Sequence, residues 1–344
     1  MKKLSVVLVL AGLVLPVAAL ADDYSKTGTG PVKVFLLIGQ SNMNGRGGIS
    51  VLKDKLIKDQ PDKYPASLMD LRKDVWIRRA NGDGISGQKD NKCLEPGFGQ
   101  WKYYGPELGF GHVMGDHFKQ QVLFVKVIGG GTALGKEWVS PSQAKRTGRP
   151  VGHMYKRAIR ETIQDLWDLP NLYKDYKPEM GYQLAGVFWC QGNADGGQFA
   201  KEYADNLADF INDLRSDFGV PDLPFIAAES LSSRTPGEQF VKGCEMVNAQ
   251  QKNKQAAAIP ARSKIDLKGA EYSPYNSSGD STHWRGNSKA YLDVGYWAAD
   301  LMIPMLKGDV DQSKDAKIQQ KWKDVLPQML EPEEEKQPEK KAAK

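Results

Sequence analysis

Four short runs of the chain are apolar almost without interruption: Val32 to Ile38 (VKVFLLI), Val122 to Ile128, Leu184 to Trp189 and Pro224 to Ala228. A strand with one face in water alternates apolar and polar side chains, whereas a strand covered on both faces does not. Runs of this kind therefore ask for layers above and below them. Stretches with apolar residues at helical spacing lie between and after the runs: Met154 to Trp167, Phe199 to Phe218 and Ser288 to Leu306. Strands alternating with helices predict an α/β fold, a parallel sheet with helices on both faces. No internal repeat interrupts the pattern.

The chain start constrains where such a protein works. Lys2 and Lys3 precede Leu4 to Leu20, which is apolar except at Ser5, Gly12 and Pro16, and Ala19-Leu20-Ala21 is a small-x-small cleavage site. These signals predict a cleavable signal peptide over residues 1–21, cut after Ala21, and a secreted or periplasmic protein. The competing reading is a membrane anchor, for which the run is short and broken by Pro16. No Cys follows Leu20 to accept a lipid, and no later run is long enough to span a bilayer. Loss of Lys2 and Lys3 leaves 45 basic against 42 acidic side chains, a net +3. That charge is small and scattered, which argues against a nucleic-acid partner.

The remaining 22–310 is ample for one domain at 40% hydrophobic and 26% charged residues. Within it, Ser50 to Lys102 is rich in Lys, Asp and Gly, with one strand candidate at Val75 to Arg79. It is expected as an insertion over the carboxyl edge of the sheet. Residues 311–344 are expected as a charged tail, disordered at its end from Glu331 to Lys344, which lacks aromatic and branched apolar residues. The cysteines are Cys93, Cys190 and Cys244. Their odd number leaves at least one thiol free. A Cys93–Cys244 bridge is conceivable, and Cys190 reads as a small buried apolar residue. No cysteine or histidine spacing suits a metal.

The chemistry concentrates where strands should end. Gly39-Gln40-Ser41-Asn42-Met43 follows the first run, and the carboxyl edge of a parallel sheet is where ligands bind. A serine starting a helix there has backbone N–H groups beside it that favour an oxyanion. A helix cap is the plainer role for a lone Ser. Met43 stands where the α/β-hydrolase elbow has its second glycine, so this is a different turn. A serine nucleophile needs a base, and the chain has four histidines. His112 and His117 share one predicted helix and His153 begins another, which suits structural or surface roles. His283 sits in Gly279-Asp280-Ser281-Thr282-His283-Trp284, where Asp280 precedes it by a single turn and can hold the imidazole tautomer.

An oxyanion hole is the third requirement. Gly129-Gly130-Gly131-Thr132 follows the second run, and glycines let backbone N–H groups approach a substrate closely. Gln191 and Asn193 follow the third run. The Gln191 amide can reach an oxyanion, or it can simply tie its loop to neighbours; Asn193 is the alternative donor.

Together these segments resemble the SGNH hydrolase superfamily, and within it the sialate O-acetylesterase and acetylxylan esterase group, carbohydrate esterase family six. The match rests on Gly39 to Met43 with Gly45-Arg46-Gly47-Gly48, Gly105-Pro106-Glu107, Gly130-Gly131-Thr132 with Trp138, Trp189 to Asp195, and Asp280 to Trp284. The resemblance implies a three-layer α/β/α sandwich with a flavodoxin-like sheet, without metal or cofactor. It implies Ser41, Asp280 and His283 as triad, with Ser41, Gly130, Gly131, Gln191 and Asn193 around the oxyanion and Gln40, Arg46 and Trp138 at the substrate. The substrate implied is an acetylated carbohydrate such as xylan or sialic acid. One departure is Asn193, where the group usually has a glutamate; another is Cys190, where a larger residue is common. Two other readings share these residues: a lipase or thioesterase on the same scaffold, or a silent carbohydrate-binding protein.

Overall fold

A computed structural model describes residues 30–79, 92–100, 103–230, 237–250, 255–265, 273–277 and 283–330. The expected signal peptide, the tail end from Glu331 and Asp280 lie outside the described residues.

All four apolar runs are strands of one sheet. Its members are β1 (Val32–Gly39), β2 (Arg72–Arg79), β3 (Lys92–Leu94), β4 (Val122–Ile128), β5 (Tyr182–Gln191), β6 (Phe225–Glu229) and β7 (Ala256–Ile259). Their spatial order is β3-β2-β4-β1-β5-β6-β7. Every neighbouring pair is parallel except the edge pair β2–β3. The fold is thus the expected α/β sandwich. β1 explains why its sequence is apolar throughout. Val34, Leu36 and Ile38 face one core, Phe35 and Leu37 the other, and all five are fully buried. Helices α2 (His153–Trp167), α3 (Gln198–Phe218) and α4 (Gln239–Ala249) cover the first face. Helices α1 (Glu107–His117) and α5 (Ser288–Met302) cover the second.

Two sequence expectations are corrected, and one question left open by the sequence is answered. The described residues of the polar region from Ser50 to Lys102 are largely built into the fold: they supply β2 and β3, and Leu52, Leu56, Tyr64 and Leu68 are buried in the core under α5. Charges on β2 hid it. Arg72 and Asp74 are paired with each other in the interior, so polar letters there mark a buried ion pair rather than a surface loop. The chain also continues to fold past residue 310. Helix α6 (Ala316–Val325) is capped by Asp315, whose carboxylate accepts from the Lys317 and Ile318 N–H. It inserts Trp322 and Val325 into the first core, where the Trp322 indole donates to the Phe218 carbonyl at 3.0 Å. Lastly, all three cysteines are free. Cys93 lies on the edge strand β3, and Cys244 lies on α4 beside β7 at the other edge. Six strand spacings, about 29 Å, separate those edges.

Candidate active site

β1 is the middle strand, and its register sets the site. Gly39 at its carboxyl end is level with Ile128 of β4 and Cys190 of β5. The approach is so close that a Cβ on Gly39 would lie 2.2 Å from the Cys190 carbonyl oxygen, and its φ of +144° suits only glycine. The Gln40 N–H then donates to Cys190 O at 3.1 Å, and the chain turns into one helical turn, Ser41–Asn44. Neither the Ser41 nor the Asn42 backbone N–H donates to a described residue, as expected of the first residues of a helical turn.

His283 arrives from the far end of the sequence. Its Nε2 lies 2.8 Å from Ser41 Oγ, 242 positions apart along the chain. A compact left-handed turn follows it. Trp284 (φ +48°), Arg285 (φ +56°) and Gly286 (φ +62°) are consecutive, and the first two are the only non-glycine residues with positive φ among those described. Gly286 N–H donates back to His283 O at 2.8 Å. The Tyr291 hydroxyl of α5 stands 3.2 Å from both His283 O and Asn42 Oδ1, linking the histidine's backbone to the serine's neighbour. Asn287 caps α5 by accepting from Ala290 N–H at 3.0 Å, which fixes where the helix begins.

A buried charge cluster braces the other end of the serine turn. Lys126 of β4 is fully buried and donates to Asn44 O (3.0 Å), Phe98 O (3.0 Å) and Glu107 Oε2 (2.8 Å). Glu107 Oε1 accepts from Gly105 N–H at 2.8 Å, and Arg79 donates to Asn44 Oδ1 at 3.0 Å. Each charge has its partners, which is what allows an ion pair to sit in the interior. Lys126 is a lone cation in an otherwise apolar strand. That is the one signal in the sequence that could have marked it.

Ser41 and His283 open onto a cleft of about 440 Å³. Of the expected residues, Gln40, Arg46, Gly130, Gly131 and Asn193 line it as well, joined by Asn44, Gln100 and Ala194, which sequence reasoning had not singled out. No carboxylate lines it among the described residues. Gly130 and Gly131 are exposed, with nothing near the place a Cβ would occupy.

Two expected residues are elsewhere. Gln191 is fully buried and off the cleft. The two-residue period of β5 turns it, like Trp189, toward α3. Its amide nitrogen donates to Thr132 O at 2.9 Å and to Asp195 Oδ2, while its oxygen accepts from the Tyr203 hydroxyl at 2.9 Å. No amide hydrogen is left for an oxyanion, and the contacts are those of a loop tie. Trp138, expected at the substrate, is also fully buried; its indole N–H donates to Thr132 Oγ1 at 2.7 Å and its ring packs edge-on against Trp189. Its bulk fills the core beneath the glycine loop.

Among the described residues no group of three or more His, Cys, Asp or Glu could hold a metal ion, and no helix is long and apolar enough to cross a membrane.

A parallel α/β sandwich with a serine hydroxyl on a histidine nitrogen at its carboxyl edge defines a hydrolase-like class of protein. Residues 31–303 match the family described as carbohydrate esterase, sialic acid-specific acetylesterase, and the chain belongs to that family; it is a carboxylic ester hydrolase. A relative from Arabidopsis thaliana, described as a probable carbohydrate esterase, is 25% identical over 209 residues, covering 57% of this chain and 68% of the relative. The crystal structure of that plant protein superposes with a TM-score of 0.53 at 18% identity, over 80% of this chain and 100% of that one. A carbohydrate acetylesterase from Xanthomonas citri superposes with a TM-score of 0.44 at 15% identity, over 78% of this chain and 54% of that one.

Proposed function

We propose that the protein removes O-acetyl groups from a carbohydrate through an acyl-enzyme on Ser41. The observation that carries this is the 2.8 Å contact between Ser41 Oγ and His283 Nε2 in an open, amide-lined cleft. In the first half-reaction Ser41 Oγ attacks the acetyl carbonyl carbon and its proton passes to His283 Nε2. The tetrahedral oxyanion is held by the backbone N–H of Ser41 and of Gly130 or Gly131, with the Asn193 amide beside them. The carbon–oxygen bond to the sugar then breaks, and His283 returns the proton to the departing sugar hydroxyl. Water repeats the sequence, with His283 as base, and releases acetate. Asp280, three residues before His283, completes the triad by orienting the imidazole. The family description supports an acetyl ester on a sugar, and the Gln, Asn and Arg lining supports a leaving group rich in hydroxyls over a lipid tail.

The test is Ser41→Ala, assayed on a chromogenic acetate and on acetylated glycans including xylan and sialic acid. Acetate release should fall by about 10³-fold or more in a folded variant. Turnover within a few-fold of the parent would remove Ser41 from the mechanism. We also propose that the protein is exported and cut after Ala21, so the mature chain should begin at Asp22 on N-terminal sequencing.

A further inference from the structure

The Gly130 and Gly131 amides can serve an oxyanion only if they are held still. They are exposed, glycine is the most mobile of residues, and neither N–H donates to a described residue. What fixes them lies on either side. Upstream, Gly129 N–H donates to Gly39 O at 3.0 Å, tying the loop to β1. Downstream, the restraint converges on one carboxylate. Asp195 is fully buried; its Oδ2 accepts from Leu134 N–H at 2.9 Å and its Oδ1 from Gly135 N–H at 2.9 Å. Oδ2 also accepts from the Gln191 amide, which in turn donates to Thr132 O. The loop is clamped at 129 and again at 132, 134 and 135, with the two open glycines between.

We propose that Asp195, acting with Gln191, is a positioning residue whose clamp on the 132–135 segment sets the Gly130 and Gly131 amides at the oxyanion. This rests on the reading of Ser41 as nucleophile. Burial alone would make a carboxylate here costly, and it pushes the Asp195 pKa up to about 6, while the N–H groups of Gln191, Leu134 and Gly135 work the other way. Asparagine cannot replace it. It would turn an NH₂ toward an N–H donor, so one side of the clamp would repel.

The experiment compares kcat and KM for a chromogenic acetate in the parent, Asp195→Asn, Gln191→Met and a control, Asp213→Asn. Asp213 is also buried and also holds a loop, accepting from Ser142 N–H at 2.7 Å and Ser142 Oγ at 2.6 Å, but away from the glycines. Amide hydrogen exchange over residues 129–135 is followed in parallel. Asp195→Asn should lower kcat by about 10²-fold with KM within about twofold, because the oxyanion forms only in the transition state. Exchange of the loop amides should accelerate at least about tenfold. Gln191→Met should lower kcat about tenfold in the same manner, since small misplacements already cost rate. Asp213→Asn should lose stability while keeping its kcat. If Asp195→Asn does not fold, Gln191→Met decides. A parent active on acetates with kcat kept in the folded variants overturns the clamp alone, as does an equal kcat loss in Asp213→Asn. A parent inert toward every acetate overturns the proposed function, and the clamp with it.

Discussion

His112 shows at the scale of one residue what burial does to a titrating group. It sits on α1, buried, with Nδ1 3.4 Å from the Arg72 guanidinium and Nε2 without a partner. Burial first and the Arg72 charge second lower its pKa to about 4. Between pH about 6.5 and 4 the unfolded chain therefore binds a proton that the folded protein refuses, and stability falls as pH falls. Asp195 and Asp165 act oppositely. Burial raises each to about 6, so the folded state takes up their protons first and gains stability on acidification toward pH 4. The clean measurement is a difference. His112→Gln should give a stability-versus-pH curve that departs from the parent's by up to about 1.4 kcal/mol per pH unit across that window and runs parallel to it above pH 7. Parallel curves down to pH 4 would contradict the assignment. Single residues were also where the sequence was least complete. Ser41, His283 and the paired glycines were legible because turn chemistry and rarity of histidine single them out. Gln191 was not, because its neighbours Thr132, Asp195 and Tyr203 meet it only in the folded molecule.

At the scale of elements, the left-handed turn Trp284–Gly286 is the piece with the most to say about His283. A residue with a Cβ pays about 1–2 kcal/mol for such a conformation, and it persists where surrounding contacts impose it. Arg285→Gly and Arg285→Val both remove the guanidinium, so the difference between them isolates the backbone. The Val variant should be less stable than the Gly variant by at least about 1 kcal/mol in urea denaturation, and lower in kcat, since the turn carries the imidazole. Equal midpoints would mean that the turn is unstrained. Elements covered on both faces were legible throughout: all four apolar runs are strands, and the three helical stretches match helices to within a few residues. β2 was legible only at its apolar end. Its first half carries Arg72 and Asp74, and the pairing of Arg72 with both Asp74 and Asp116 cannot be read from spacing.

For the whole molecule, the informative surprise is α6. Ile318, Trp322 and Val325 recur at helical spacing, a signal available in the sequence but overshadowed by the charged stretch that follows. Trp322 stacks on Tyr182 at 5.9 Å between ring centres, closing the first core. A chain ending at residue 310 would expose that core, and with about 1.5–3 kcal/mol for each large apolar side chain withdrawn it should lose about 5 kcal/mol or more. Denaturant midpoints of the two chains measure this; coincident midpoints would show α6 to be a passenger. The separation of Ser41 from His283 has a further consequence, which is one of timing. As the chain is made, the hydroxyl emerges early and the imidazole some 242 residues later, with six of the seven sheet strands still to come in between. Contacts so distant in sequence form late and slowly. A half-folded molecule can bury much of its tryptophan and still hydrolyse nothing, so in refolding the first released acetate should trail the fluorescence change and mark the moment the last piece arrives.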